Sequence, residues 1–189
     1  MEKRTKKKEQ DGQQESLEHQ SLEVSMLNKD SFSDEELESY LSKGAIRASD
    51  EITVPPKILF VGDCTIATFG NFSASTGKAK SKKTFNISAM VAAAVTNSTV
   101  LNYRACLPEG KRTILYFDTE QSKYHCHTVL ERIYRLSGLS LKKDDPRLMF
   151  WGLREYTPKL RIAVIDYALR KYEGVGLVII DGLRDLMYD

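Results

Sequence analysis

Two stretches of this chain, RTILYFD at 112–118 and VGLVIIDG at 175–182, are apolar without alternation and reach an aspartate at their far end. A strand with one wet face alternates apolar and polar residues. A strand covered on both faces does not, and such strands belong to parallel sheets flanked by helices. The segments around them fit that architecture. SKYHCHTVLERIYRLSG places Cys126, Val129, Leu130, Ile133 and Leu136 at helical spacing and can close on Gly138. RLMFWGL at 147–153 reads as a further strand. TPKLRIAVIDYALRKYEG reads as a helix capped by Thr157, with Pro158 in its first turn and Leu160, Val164, Tyr167 and Ala168 on one face. TFNISAMVAAAVTN is apolar nearly all round, as a helix with neighbours on both sides requires. Upstream, KILFVGDC and TIATFGNFSAS read as strands joined by a turn at Gly62-Asp63, the second leading directly into a lysine-rich loop. Strand alternating with helix in this way predicts an α/β domain over 49–189 with a mostly parallel sheet flanked by helices.

The first 48 residues differ in composition. Residues 1–43 hold seven Lys/Arg against eleven Asp/Glu, a balance of −4, while the remainder carries +6 of the chain's net +2. This segment reads as a charged, largely disordered tail with a basic tip, KRTKKKEQ, at 3–10. SDEELESYLSKG within it predicts a short helix over 33–43, capped by Ser33 or Asp34, acidic in its first turn and ended by Gly44. The basic body is compatible with phosphate-bearing ligands or nucleic acid and demands neither. Cys64, Cys106 and Cys126 are odd in number and form no CxxC pair. Without a signal peptide they point to a reduced, cytoplasmic chain in which they serve as small packed residues. No apolar run approaches the roughly 20 residues of a membrane span. His125 and His127 are two apart on a helix and face different ways, unlike an i, i+4 metal pair.

The lysine-rich loop carries the chemistry. Phosphate-binding loops read Gly, four residues, Gly, Lys, then Ser or Thr. Here Gly77-Lys78-Ala79-Lys80-Ser81-Lys82-Lys83-Thr84, with Phe85 next, supplies every part except the second glycine, whose place Lys82 takes. Successive backbone N–H groups and the start of the following helix would cradle ATP phosphates. Lys83 would hold phosphate, and the Thr84 hydroxyl would hold Mg2+. Lys82 is tolerated if its backbone keeps a negative φ. Taking Gly77-Lys78 as the Gly-Lys pair instead puts Ala79 where a hydroxyl is needed. Downstream, Asp181 ends a hydrophobic strand, as a magnesium-organising carboxylate should. Glu120, just past Asp118, is placed to activate water. In a parallel sheet the carboxyl ends of the strands share one edge, where the loop, Glu120 and Asp181 would converge.

With those residues in order, the chain resembles the RecA-like P-loop ATPases, and among them the plasmid RepA-type hexameric replicative helicases and related mobile-element ATPases. The resemblance runs from about Gly70 to Leu186. It includes the segment ILYFDTEQSKYHCHTVLERIYRL after the loop helix and Asp181-Gly182-Leu183-Arg184-Asp185-Leu186 at the last strand. It implies an ATPase in which Lys83 and Thr84 hold phosphate and metal, Asp181 supports Mg2+ and Glu120 polarises the attacking water. It also implies DNA as a partner, self-assembly into an oligomer, and a place in DNA replication or element mobilisation. Lys82 departs from the family pattern. RecA-like cores continue well beyond their Asp181 equivalent, so the sequence reads as a truncated or degenerate core. Two alternatives stand beside it: a non-catalytic nucleotide-binding or interaction module, and a partition-type ATPase with Lys78 as its signature lysine.

Overall fold

The computed structural model describes residues 32–77 and 82–187. The basic tip, the tail through residue 31, and Lys78, Ala79, Lys80 and Ser81 of the loop lie outside the described residues. The chain divides into two compact units at Ile52–Thr53. In the first, α1 spans Asp34–Gly44. The Ser33 hydroxyl accepts from the Glu36 N–H at 3.2 Å, and the Glu36 carboxylate accepts from the Ser33 N–H at 2.8 Å. This reciprocal box satisfies two donors that a bare helix end would leave open. No residue of α1 is buried.

The second unit contains β1 (Lys57–Val61), β2 (Cys64–Thr68), α2 (Lys83–Thr96), β3 (Thr99–Val100), β4 (Tyr103–Ala105) and β5 (Thr113–Asp118). It continues with α3 (Lys123–Ser137), β6 (Leu148–Gly152), α4 (Pro158–Lys171), β7 (Val175–Asp181) and a 3-10 turn at Leu183–Leu186. The strands form two sheets: a parallel one ordered β6-β5-β7 and an antiparallel one ordered β2-β1-β4-β3. The expectation of one mostly parallel sheet is corrected to that extent. The physical reason is the turn at Gly62, whose φ is +54. Two residues can join antiparallel strands, whereas parallel ones need a crossover of a dozen or more. Likewise β2 stops at Thr68, so it does not run directly into the lysine-rich loop.

The parallel sheet is covered on both faces. Ile114 and Tyr116 face α2 and α3 in the larger core, which also takes in Ile58, Leu59, Val100 and Ala105 of the antiparallel sheet. Leu115 and Phe117 face Ile165 and Ala168 of α4. Helix α2 is nearly all apolar because it lies between these layers, and Ala89 to Val95 are buried save Met90. On α4, Leu160 and Tyr167 are exposed, contrary to the face expected of them. The guanidinium of Arg161 donates to the carbonyls of Leu153, Arg154 and Asp185 at 3.0, 2.6 and 2.7 Å, turning the 161–165–168 side inward instead. Strand β7 is an edge strand, and most of its residues are half-exposed. Among the described residues no helix is long and apolar enough to cross a membrane.

Candidate functional site

Asp118 and Asp181 are the last residues of β5 and β7 and sit opposite each other in the parallel register. Both side chains therefore point to the face that carries α2. The first turn of α2 arrives at the same edge. There the Thr84 hydroxyl donates to Asp181 Oδ2 at 3.3 Å, across 97 residues of sequence. From the other side the Tyr116 hydroxyl donates to the same oxygen at 3.1 Å.

Asp118 does different work. Its side chain is fully buried. Oδ1 accepts from the Glu120 and Gln121 N–H groups at 3.1 and 2.8 Å, and Oδ2 accepts from the Gln121 amide at 2.6 Å. These bonds turn the chain sharply after β5 and leave Glu120 exposed at the edge. Thr119 fastens the turn to the next strand. Its N–H donates to the Asp181 carbonyl at 3.0 Å, and its hydroxyl lies 2.7 Å from the Gly182 carbonyl. Gly182 has φ +102, and a Cβ there would fall 2.2 Å from the Thr119 hydroxyl and 2.6 Å from Glu120 Cγ. That close approach admits only glycine.

The electrostatics follow from this crowding. Burial raises the proton affinity of Asp181, and the charge of Asp118 adds to it. The bonds from Tyr116 and Thr84 and the charge of Lys83 oppose the rise. Glu120 is raised by desolvation and then by Asp181, Asp185 and Asp118, with Lys83 opposing. Among the described residues, Lys83 is thus a cation that bears on both carboxylates. Burial pushes the Tyr116 phenol far above its usual range, followed by the effect of Asp181, so it remains a donor. The Cys126 thiol is pushed up to about 11 by burial and by Asp118, which leaves it inert as a nucleophile. Cys64 and Cys106 are exposed, not packed as expected.

Among the described residues the start of α2 has no side-chain cap, and its first turn holds no acidic residue, so the partial positive charge of this helix end is not neutralised there. Lys83 Nζ donates to the Gly77 carbonyl at 3.2 Å, which brings the two described ends of the loop together. Lys82, immediately before the helix, has φ +58 and ψ 27. The negative φ that would make a lysine easy to accept in the glycine position is therefore not what the residue adopts. Lys82 takes the left-handed conformation that a glycine would take without strain.

Lys83, Thr84, Glu120 and Asp181 are thus brought to one edge. Phe85 is on α2 and exposed, and the Arg132 guanidinium lies 5.9 Å over its ring. Gly182 and Asp185, part of the motif after the last strand, join the site, as do Tyr116 and Thr119, which no sequence motif marked. The signal for Tyr116 is its even spacing from Asp118 in a buried strand. Among the described residues no group of three or more His, Cys, Asp or Glu could hold a metal ion. That does not disqualify Mg2+, which takes one or two carboxylates, hydroxyls and waters, and completes its shell from substrate phosphate. The hard oxygens of Thr84 and Asp181 fit such a partial site. Comparison with protein-family models, with curated proteins and with solved structures found no match to the chain.

Proposed function

We propose that this chain binds ATP with Mg2+ across the start of α2 and the carboxyl ends of β5 and β7, and hydrolyses it as a RecA-like P-loop ATPase. The observation that carries the proposal is the Thr84–Asp181 hydrogen bond at 3.3 Å. A hydroxyl after the loop lysine and a carboxylate at a distant strand end have no local reason to meet. They are the pair that a nucleotide-bound magnesium needs. When bound, the metal neutralises phosphate charge. Lys83 and the open N–H groups of α2 hold the phosphates. Glu120, exposed and with raised proton affinity, accepts the proton of an attacking water. Lys82 fills the glycine position of the loop in the left-handed conformation, which costs a lysine about 1–2 kcal/mol that a glycine would not incur.

The resemblance extends the proposal to a motor-type protein acting on DNA in replication or in mobilisation of an element, working with further copies of itself. Salt-sensitive binding to single-stranded DNA checks that extension.

Calorimetric titration with ATP and Mg2+ tests the core claim. Wild type is expected to bind in a magnesium-dependent way. Lys83→Ala should abolish binding. Glu120→Gln should bind and lose turnover by a factor on the order of a hundred or more. Unchanged binding by Lys83→Ala overturns the site. Binding without turnover in wild type leaves a nucleotide-binding interaction module.

A further inference from the structure

Tyr116 is completely buried, and a phenylalanine would bury the same ring. Its hydroxyl therefore needs a reason of its own, because a buried O–H without an acceptor is costly. The acceptor is Asp181 Oδ2. The geometry that joins them is set by the sheet. Tyr116 lies opposite Ile179 in the β5–β7 register, and Asp181 is two residues further along β7 on the same face. A tyrosine is long enough to cover that step. Its ring is held from the opposite side by Phe150 of β6, which lies opposite Tyr116 in register and stacks on it at 4.2 Å between centroids and 12° between planes. The phenol is thus clamped in direction as well as in place.

We infer that Tyr116 is a positioning residue for the metal-binding carboxylate, fixing Asp181 through Oδ2 so that Oδ1 is presented to the nucleotide-bound cation. The inference rests on the proposed nucleotide site and deepens it. Among the described residues Oδ1 has no hydrogen-bond partner, whereas Oδ2 has two. The two donors differ. Thr84 is on the outer turn of α2, and its hydroxyl is itself a cation ligand in the proposal. Tyr116, by contrast, is buried and gives its hydroxyl to Asp181 alone. Partners that orient metal ligands in this way typically contribute tenfold or more in metal affinity.

The test is a Mg2+ titration in the presence of ATP, read by calorimetry, on wild type, Tyr116→Phe, Asp181→Asn and the double variant, with ATP binding in EDTA alongside. Tyr116→Phe keeps the ring and its stack, and should weaken Mg2+ affinity about tenfold while leaving metal-free ATP binding unchanged. In the Asp181→Asn background it should cost nothing further. Phe150→Leu unclamps the ring but keeps the hydroxyl. It should give a smaller loss of the same magnesium-dependent kind, and it serves if Tyr116→Phe does not fold. Equal losses with and without Mg2+, or a full extra loss in the double variant, would show a merely structural tyrosine and overturn the inference. Wild type that binds Mg2+ and ATP normally beside an unaffected Tyr116→Phe overturns this inference alone. Wild type that binds neither overturns the nucleotide site with it.

Discussion

Helix α2 packs against both sheets, and the two sheets handle polar groups differently. In the antiparallel sheet they stay outside: Thr99, Asn102 and Arg104 are exposed, and the Arg104 guanidinium rests 3.6 Å over the Phe60 ring. The parallel sheet draws them in at one edge. Asp118 and Thr119 are buried, Asp181 is half-buried, and Tyr116 gives its hydroxyl to Asp181. Gathering carboxylates where water is scarce costs stability unless cations or donors compensate. One sheet is arranged to hold the domain together. The other gathers carboxylates at its carboxyl edge, where the proton affinities of Asp181 and Glu120 are raised.

Glycine makes the contrast measurable. Gly62 turns the antiparallel hairpin at φ +54 with open space around its Cβ position. Gly62→Ala should therefore cost only the left-handed penalty, about 1 kcal/mol. Gly182 turns the chain at φ +102 with Thr119 and Glu120 in contact. Gly182→Ala adds overpacking to backbone strain and should cost roughly 3 kcal/mol or more. It should also displace Glu120. Urea denaturation midpoints of the two variants check this. Equal losses would mean that the parallel edge is no more tightly built than the hairpin.

The carboxylates give the next effect. Asp181 has a raised proton affinity in the fold, chiefly through burial. A group raised in this way contributes stability that is fully present below its unfolded value and is lost as pH rises through its folded value. At neutral pH the raised proton affinity of Asp181 therefore weighs against folding. Asp181→Asn still offers an acceptor to Tyr116 and Thr84 and removes the charge. Its Tm at pH 7 should exceed that of wild type by a few degrees. The gain should shrink as pH falls through the raised folded value of Asp181 and be gone below about pH 4, where an unfolded aspartate is protonated as well. A variant less stable than wild type at pH 7 would mean that the edge is not short of positive charge.

The parallel layer was legible in the sequence because its signals are local. Unbroken apolar runs gave β5 and β7, and helical spacing with Gly138, Thr157 and Pro158 gave α3 and α4 to within a few residues. The antiparallel layer was only half legible. Gly62-Asp63 marked one hairpin, but β3 and β4 hold two and three residues and turn at Leu101, which carries no turn signal. In the site, Lys83, Thr84, Glu120 and Asp181 could be named because each follows a run or a motif. Tyr116, Thr119 and Gly182 acquire their roles from the register between β5 and β7, which are more than 60 residues apart for each contact. No local pattern records that register. The conformation of Lys82 is not legible locally either: intrinsic preference favours a negative φ for lysine, and the residue is left-handed all the same.

Lys82 and Leu101 bring the contrast to the scale of single residues. They are non-glycine residues at φ +58 and φ +54, one at the loop of the parallel sheet and one at a turn of the antiparallel sheet. The left-handed conformation costs an L-residue about 1–2 kcal/mol, and glycine removes that cost while returning about 0.5–1 kcal/mol as unfolded-state entropy. Lys82→Gly and Leu101→Gly should each stabilise the fold by somewhat under about 1 kcal/mol, read as a shift in denaturation midpoint. The consequences for ligand should differ. If lysine is kept at 82 for its charge near phosphate, Lys82→Gly should weaken ATP binding at low salt and less so at high salt, where such charges are screened. Leu101→Gly should leave ATP binding unchanged at either salt. Stability gained at the cost of affinity would identify Lys82 as strain kept for the ligand. Stability gained with affinity intact would make both residues ordinary turn strain, and the loop would differ from the hairpin only in its carboxylates.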